Sequence, residues 1–266
     1  MPGRAEQSRE RRAHLNLVDS SRQLFELDPG ATVEARDGWL FGAGTPTHPA
    51  ISNAAFRIDD GLEAEELLTR AGAFFGERKR GFSVWVRGGE PADRDLAAAA
   101  EAAGLSPVIE MPEMLLDRRV ADPALPDGAE LRRVASAADA TDYWRVAASA
   151  YTSLGFPPEV FGSYEDHRGL LAGDVVAFLA FLDGRPAGIA MTIVSHGVAG
   201  IYWVGTIEEA RGKGLGRVTT AAATNAGFDL GADVASLQAS PMGESLYAPM
   251  GFETVFTYRL LMAAPP

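Results

Sequence analysis

The sequence predicts a mixed α/β fold, of the α+β type with a mixed sheet, built from two related halves. Three observations lead there. Strand-like and helix-like apolar patterns alternate along the whole chain. A β-branched and aromatic run, Ile201-Tyr202-Trp203-Val204, is joined by a glycine-rich turn to a helical pattern carrying Ala221, Ala222, Ala223, Ala226 and Phe228. The order strand, helix, strand, helix, Gly-hydrophobic pair, strand also occurs twice.

Residues 1 to about 12 are charged and read as a frayed end. Asp19 is a suitable N-cap, and Leu24, Phe25 and Leu27 predict a short helix stopped by Asp28-Pro29-Gly30. ATVEARDGWLFG reads as a hairpin turning at Asp37-Gly38, and THPAISNAAFRIDD as a loop entering a strand. Leu67, Leu68, Phe74 and Phe75 give LEAEELLTRAGAFFGERKRG one apolar helical face. FSVWVRGG is a strand, DRDLAAAAEAAG a helix stopped at Gly104, and SPVIEMPEMLLDR a strand interrupted at Pro112. The acidic and proline breakers of VADPALPDG mark a linker.

Beyond the linker, ELRRV is a strand, 138 to about 151 a helix, and a second helix follows Pro157-Pro158. Strands at 175–182 and 186–195 flank the Asp183-Gly184 turn. After the strand, turn and helix already noted come the strand VASLQAS, the short helix ESLYAPM and the closing strand FETVFTYRLLMA.

In the repeat, helix 62–76 and strand 82–87 correspond to helix 217–230 and strand 234–239, and Gly104-Leu105 to Gly251-Phe252. Two domains follow, 1–125 and 126–266. The first copy has Ala100 where the second has Tyr247, and it lacks the glycine-rich basic turn. It is expected to be degenerate, with a structural or substrate-shaping role, and 126–266 to carry the chemistry.

Composition narrows the function. With 47% hydrophobic and 23% charged residues, the 266-residue chain is of globular type. It has neither a run of about 18 apolar residues nor the apolar core of a secretory signal, so a cytoplasmic location is the expectation. Zero cysteines exclude disulfides, thiolate metal sites and a cysteine nucleophile; four scattered histidines have no metal-ligand spacing, so no metal is expected. The net charge of -12 argues against a nucleic-acid partner. It is compatible with a cationic amine substrate, although an acidic surface that keeps the protein in solution explains it more simply.

Gly212, Gly214 and Gly216 let the backbone turn tightly and aim several N–H groups at one point, at a helix N-terminus whose dipole favours an anion. Arg211, Lys213 and Arg217 surround that point with positive charge. No G-x-x-x-x-G-K-[ST] run exists here, and the residue three after Gly214 is Arg217, so both common nucleotide loops fit poorly.

The pattern R/Q-x-x-G-x-G does fit, through Arg211, Gly214 and Gly216. With the strand before it and LYAPMGF after it, the second half resembles the GNAT superfamily of acetyl-CoA-dependent N-acetyltransferases, and the whole chain is similar to its tandem, two-repeat members. That resemblance implies acetyl-CoA as donor. Its pyrophosphate would rest on the backbone of Arg211, Gly212, Lys213, Gly214, Leu215, Gly216 and Arg217, and its pantetheine arm along Val204 and Thr206.

The same resemblance assigns the oxyanion to the Val204 N–H, beside Gly205, which is either part of an irregular backbone or an ordinary strand glycine. It assigns Tyr247 to reprotonate the leaving thiolate, as a phenol of pKa about 10 can do for a thiol of about 8.5. Ser240 stands where the family commonly has an asparagine near the cofactor, and Gln238 faces either the cleft or solvent. A carboxylate used as base in some relatives falls here at Gly200. Tyr202, His196, Glu244 and a water relay remain open, and no base is assigned. The implied reaction is direct attack of a primary amine, small-molecule or peptide, in a ternary complex with a monomer or homodimer. The alternative, prompted by Gly200, is a non-catalytic acyl-CoA-binding regulator.

Overall fold

Helix α1 spans Arg9–Glu26, eighteen residues rather than the short helix expected from Asp19. Its apolar residues are diluted among arginines and polar groups, which hides the helical period. Every residue from Ala13 to Val18 is nevertheless buried, His14 and Asn16 completely. The computed structural model describes residues 7–36, 38–49, 52–162, 167–171, 173–240 and 243–266.

The hairpin β1 (Thr32–Ala35) and β2 (Trp39–Ala43) follows, in register from Thr32↔Ala43 to Ala35↔Leu40. Its turn residue Asp37 lies outside the described residues. Then come β3 (Asn53–Arg57), α2 (Ala64–Glu77), β4 (Phe82–Gly88), α3 (Arg94–Ala102) and β5 (Ser106–Leu116). Contrary to expectation, β5 runs through Pro112: the proline lacks a donor, but its carbonyl still accepts from the Ala239 N–H at 2.8 Å.

The second half opens with β6 (Ala129–Arg133) and α4 (Ala137–Thr152). In a reciprocal capping box, the Ser136 side chain accepts from the Asp139 N–H while the Asp139 carboxylate accepts from the Ser136 N–H. The rest is α5 (Glu159–Gly162), β7 (Val175–Leu182), β8 (Arg185–Ser195), β9 (Val198–Thr206), α6 (Leu215–Asp229), β10 (Val234–Gln238), α7 (Glu244–Tyr247) and β11 (Glu253–Ala263).

These elements form two compact units that interleave along the chain. Unit I comprises Met1–Ser20, Leu115–Leu237 and Met242–Glu253; unit II comprises Ser21–Met114, Gln238–Pro241 and Thr254–Pro266. A cut at 125/126 therefore does not coincide with the units, because the first turns of α1 cluster with the second half and β11 with the first. In unit I the strand order is β10-β9-β8-β7-β6, and only β9 and β10 are parallel. In unit II it is β1-β2-β3-β4-β11-β5, with β11 antiparallel to β4 from Thr257↔Gly88 to Ala263↔Phe82.

Unit II packs the apolar face of α2 against its strands and α3: Leu67, Phe74 and Phe75 cluster with Phe41, Phe82 and Leu96. The Phe75 and Phe82 rings stack at 4.5 Å. The start of α2 is acidic, with Glu63 at the N-cap and Glu65 and Glu66 in the first turn. An anion has nothing to gain there. The two cations at the ends of β3 and β4, Arg57 and Arg87, are buried against Asp93, with Asp95 and Asp60 on their outer sides.

Among the described residues, no helix is long and apolar enough to cross a membrane, and no group of three or more His, Cys, Asp or Glu is placed to hold a metal ion.

Candidate active site

The glycine-rich turn links β9 to α6. Gly212 (φ 74°) and Gly214 (φ 85°) both take the left-handed conformation, the latter as the N-cap of α6, and no side chain caps the helix. The turn from Gly212 to Gly214 is exposed, and among the described residues none of its three N–H groups has an acceptor. Lys213 and Arg217 are exposed beside it and, among the described residues, have no ion partner. Open donors, a helix dipole and two cations without an ion partner suit this turn to an anion.

Arg211 is used differently. Its guanidinium donates to the Thr206 carbonyl (3.3 Å), the Ala150 carbonyl (3.1 Å) and the Ser153 hydroxyl, bracing the turn against the end of α4. Leu215 is buried among Ala180, Ala187 and Ala210, so its side chain anchors the helix. Ser240 is exposed and belongs to unit II. Gln238 also belongs to unit II, where it donates to the buried Glu113 carboxylate at 2.7 Å.

Strand β9, which leads into this turn, loses its β10 partner part-way and is irregular against β8. Against β10 it pairs only through Val198, Ala199 and Gly200; Ile201 to Thr206 have no partner in that ladder. Against β8 the register runs Met191↔Tyr202 and then Ile189↔Gly205, so Trp203 and Val204 together stand opposite Ala190. This is a β-bulge. The irregular residue is Trp203, at φ 50°, and not Gly205.

A bulky side chain in the left-handed region is strained by roughly 1–3 kcal/mol and persists only where its surroundings fix it. Here the Trp203 ring packs edge-on against Tyr151 (5.3 Å), Phe161 (5.7 Å) and Trp144 (5.8 Å). The Tyr151 hydroxyl donates to the Val204 carbonyl at 3.0 Å, and the Tyr143 hydroxyl makes a longer contact, 3.4 Å, with the Trp203 carbonyl. Sequence reasoning missed this pair. The signal was there, since Tyr143, Trp144 and Tyr151 recur at helical spacing on α4.

Tyr247 ends α7, 8% exposed, its ring edge-on to Phe252 at 6.1 Å. Burial raises its phenol well above the ordinary value, so it is protonated throughout the neutral range. Burial likewise raises Tyr151, and the neighbouring Tyr247 phenol adds to that shift, which ties the two hydroxyls electrostatically.

The position expected for a base carboxylate is filled by something else. A Cβ on Gly200 would overlap Asn16 Oδ1 and the Tyr202 ring. Asn16, from α1, donates to the carbonyls of Ile193 (3.1 Å) and Val198 (3.1 Å) and to Ser195 Oγ (2.9 Å), and accepts from the Tyr202 hydroxyl at 2.7 Å. Tyr202 is thereby committed as a donor. His196 pairs with Asp19 at 2.7 Å in the turn before β9, and Glu208, Glu209 and Glu244 are exposed. Asn16→Ala should cost about 2–3 kcal/mol, because several buried groups lose their partner at once. Urea unfolding would show a lower midpoint with an unchanged slope; a midpoint equal to wild type would show that α1 does not hold β9.

A glycine turn with open donors beside a bulged strand is the arrangement that the GNAT resemblance led one to expect, and this chain carries a GNAT acetyltransferase domain. Residues 117–240 match the family model described as Acetyltransferase (GNAT) domain. The chain is 30% identical over 199 residues to a mycothiol acetyltransferase of Thermomonospora curvata, covering 71% of this chain and 66% of the relative. A mycothiol acetyltransferase of Pseudarthrobacter chlorophenolicus is 31% identical over 197 residues, covering 65% and 57%. The chain thus spans less than two thirds of the length of each of these relatives.

Among solved structures, a GCN5-related N-acetyltransferase from Kribbella flavida superposes with a TM-score of 0.70 at 24% identity, covering 96% of this chain and 95% of that one. A tandem GNAT protein from the clavulanic acid biosynthesis pathway superposes with a TM-score of 0.63 at 16% identity, covering 93% and 95%. Both likenesses concern the fold. The GNAT domain takes acetyl-CoA as its acetyl donor, and the open N–H groups at the start of α6 suit the diphosphate of that molecule.

Proposed function

We propose that the chain transfers an acetyl group from acetyl-CoA to a primary amine by direct attack within a ternary complex. The observation that carries this reading is the juxtaposition, within unit I, of the open cradle at Gly212–Gly214 with the bulge at Trp203 and Val204. Bound acetyl-CoA supplies a thioester carbonyl. Gly212, Lys213, Gly214, Leu215, Gly216 and Arg217 hold the diphosphate through main-chain donors and two cations, while Arg211 braces the turn. Val204 and Thr206 offer main-chain groups to the extended arm.

The Val204 N–H donates to the carbonyl oxygen as negative charge develops on it, and Tyr247 gives a proton to the departing thiolate. The acceptor amine must arrive neutral, and a water relay fits the crowded Gly200 position better than any side chain there. Residues 126–266 supply this chemistry, and the first half, whose α2 starts on three acids, shapes or supports it.

Because the relatives are named for mycothiol, the unacetylated precursor of that compound is the first acceptor to test, beside a panel of amino sugars, amino acids and peptide N-termini. Release of free CoA thiol together with formation of an amide is the expected result. Tight acetyl-CoA binding without turnover on the whole panel would instead make this a binding protein.

Gly214→Val tests the cradle. A β-branched residue at φ 85° must distort the N-cap of α6, and acetyl-CoA affinity measured by calorimetry should fall about tenfold or more, the equivalent of losing roughly one well-placed charge-assisted hydrogen bond. Unchanged affinity would place the diphosphate elsewhere.

A further inference from the structure

We infer that Tyr151, supported by Tyr143, is a positioning residue for the transfer: the two hydroxyls clamp the peptide planes on either side of Val204 and fix the direction of its N–H. This rests on the reading of Val204 as the oxyanion donor. Each peptide unit is planar and trans, so the Val204 N–H shares its plane with the Trp203 carbonyl and points the opposite way. The Tyr143 hydroxyl holds that carbonyl at 3.4 Å. The next plane begins with the Val204 carbonyl, held by Tyr151 at 3.0 Å.

A regular strand would need no such device, because its ladder orients every N–H. The bulge loosens that constraint: Trp203 and Val204 share the place opposite Ala190, and the β10 register stops at Gly200. What replaces the ladder is α4. Its phenols reach the two carbonyls while its aromatic face, with Trp144 and Tyr151, packs the Trp203 ring at φ 50°. Ala150 and Tyr151 also fill the space above Gly205, where any Cβ would press against them. A donor hydrogen bond on the Trp203 carbonyl further polarises the shared peptide and strengthens the Val204 N–H as a donor.

Tyr151→Phe keeps the ring and removes only the hydroxyl. With the acceptor found above, kcat should fall about three- to tenfold, the size of one modest hydrogen bond felt in the transition state. KM for acetyl-CoA should stay within about twofold, as expected for an interaction used in the transition state alone. Phe156→Leu alters packing on the Tyr151 ring, 5.5 Å away, without touching a hydrogen bond, and should not reproduce that split.

If Tyr151→Phe folds poorly, Tyr143→Phe reads the same effect on the neighbouring plane. A lowered kcat at constant KM supports the clamp there, and an unchanged kcat overturns it. Wild-type kcat in Tyr151→Phe, with Tyr247→Phe impaired, would refute the clamp and leave the proposed function intact. A wild-type protein that transfers no acetyl group would refute both.

Discussion

Tyr247→Phe is expected to lower kcat by about a hundredfold to a thousandfold, the usual worth of a positioned general acid, while acetyl-CoA binds as before. The substitution removes one oxygen and leaves the ring against Phe252, so packing changes little. Direction of the pKa shift matters for the assignment. Burial raises the Tyr247 phenol, which rules it out as a base near neutrality and makes it an acid whose proton is retained through the alkaline range. Because the working form is the protonated one, the rise extends activity upward in pH: no loss attributable to this group should be seen below the ordinary tyrosine value of about 10. Single-turnover kinetics of wild type and variant would check both statements. A kcat within threefold of wild type would remove Tyr247 from the chemistry.

Asp93→Ala is expected to destabilise the protein by about 3–5 kcal/mol, the cost of leaving buried charge without its counter-ion. Asp93 is 1% exposed and accepts from Arg57 Nη2 (2.9 Å), Arg87 Nε (2.8 Å), Arg87 Nη2 (2.8 Å) and the Arg87 N–H (2.8 Å). Arg57 and Arg87 are themselves 1% and 4% exposed, so neither can turn to water. Asp95 and Asp60 would still hold the outer edges of the two guanidiniums, which keeps the loss below that of isolated charges.

The same site sets an acid limit. Burial alone would raise the Asp93 carboxyl, but hydrogen bonds and charge from Arg87, with Arg57 behind it, lower it to about 2. A depressed carboxyl stabilises the fold above its unfolded pKa near 4 and loses that contribution as pH falls toward 2. Roughly 2 kcal/mol is at stake. Urea unfolding of wild type should weaken across that window, and Asp93→Asn, less stable at pH 7, should show a flatter response there. Parallel pH profiles for the two proteins would show that the Asp93 carboxyl takes up its proton equally in the folded and unfolded states, against the lowered value.

The parts legible in the sequence are those whose cause is local. Gly212 and Gly214 take positive φ because nothing else does so at low cost, and the cations beside them stand next to them in the chain. The apolar face of α2 and the Asp183-Gly184 turn between β7 and β8 are likewise written at short range. Other elements gave false signals for equally definite reasons. The arginines of α1 masked a helix that is buried through its middle, and Pro112 suggested a break in a strand whose carbonyl still bonds.

Local pattern was enough to read the GNAT resemblance, the succession of strands and helices, and the open glycine turn ahead of α6, because glycine conformation and residue periodicity act within a few positions of the chain. Long-range packing set which strand lies beside β4, why a side chain has no room at Gly200, and what holds Val204 in a bulge. Those answers depend on partners such as Asn16 and the Val198 carbonyl, 182 residues apart. Strand pairing and buried hydrogen bonds select among such distant groups by complementary geometry once the chain has collapsed, and a pattern read along the sequence carries no record of that choice.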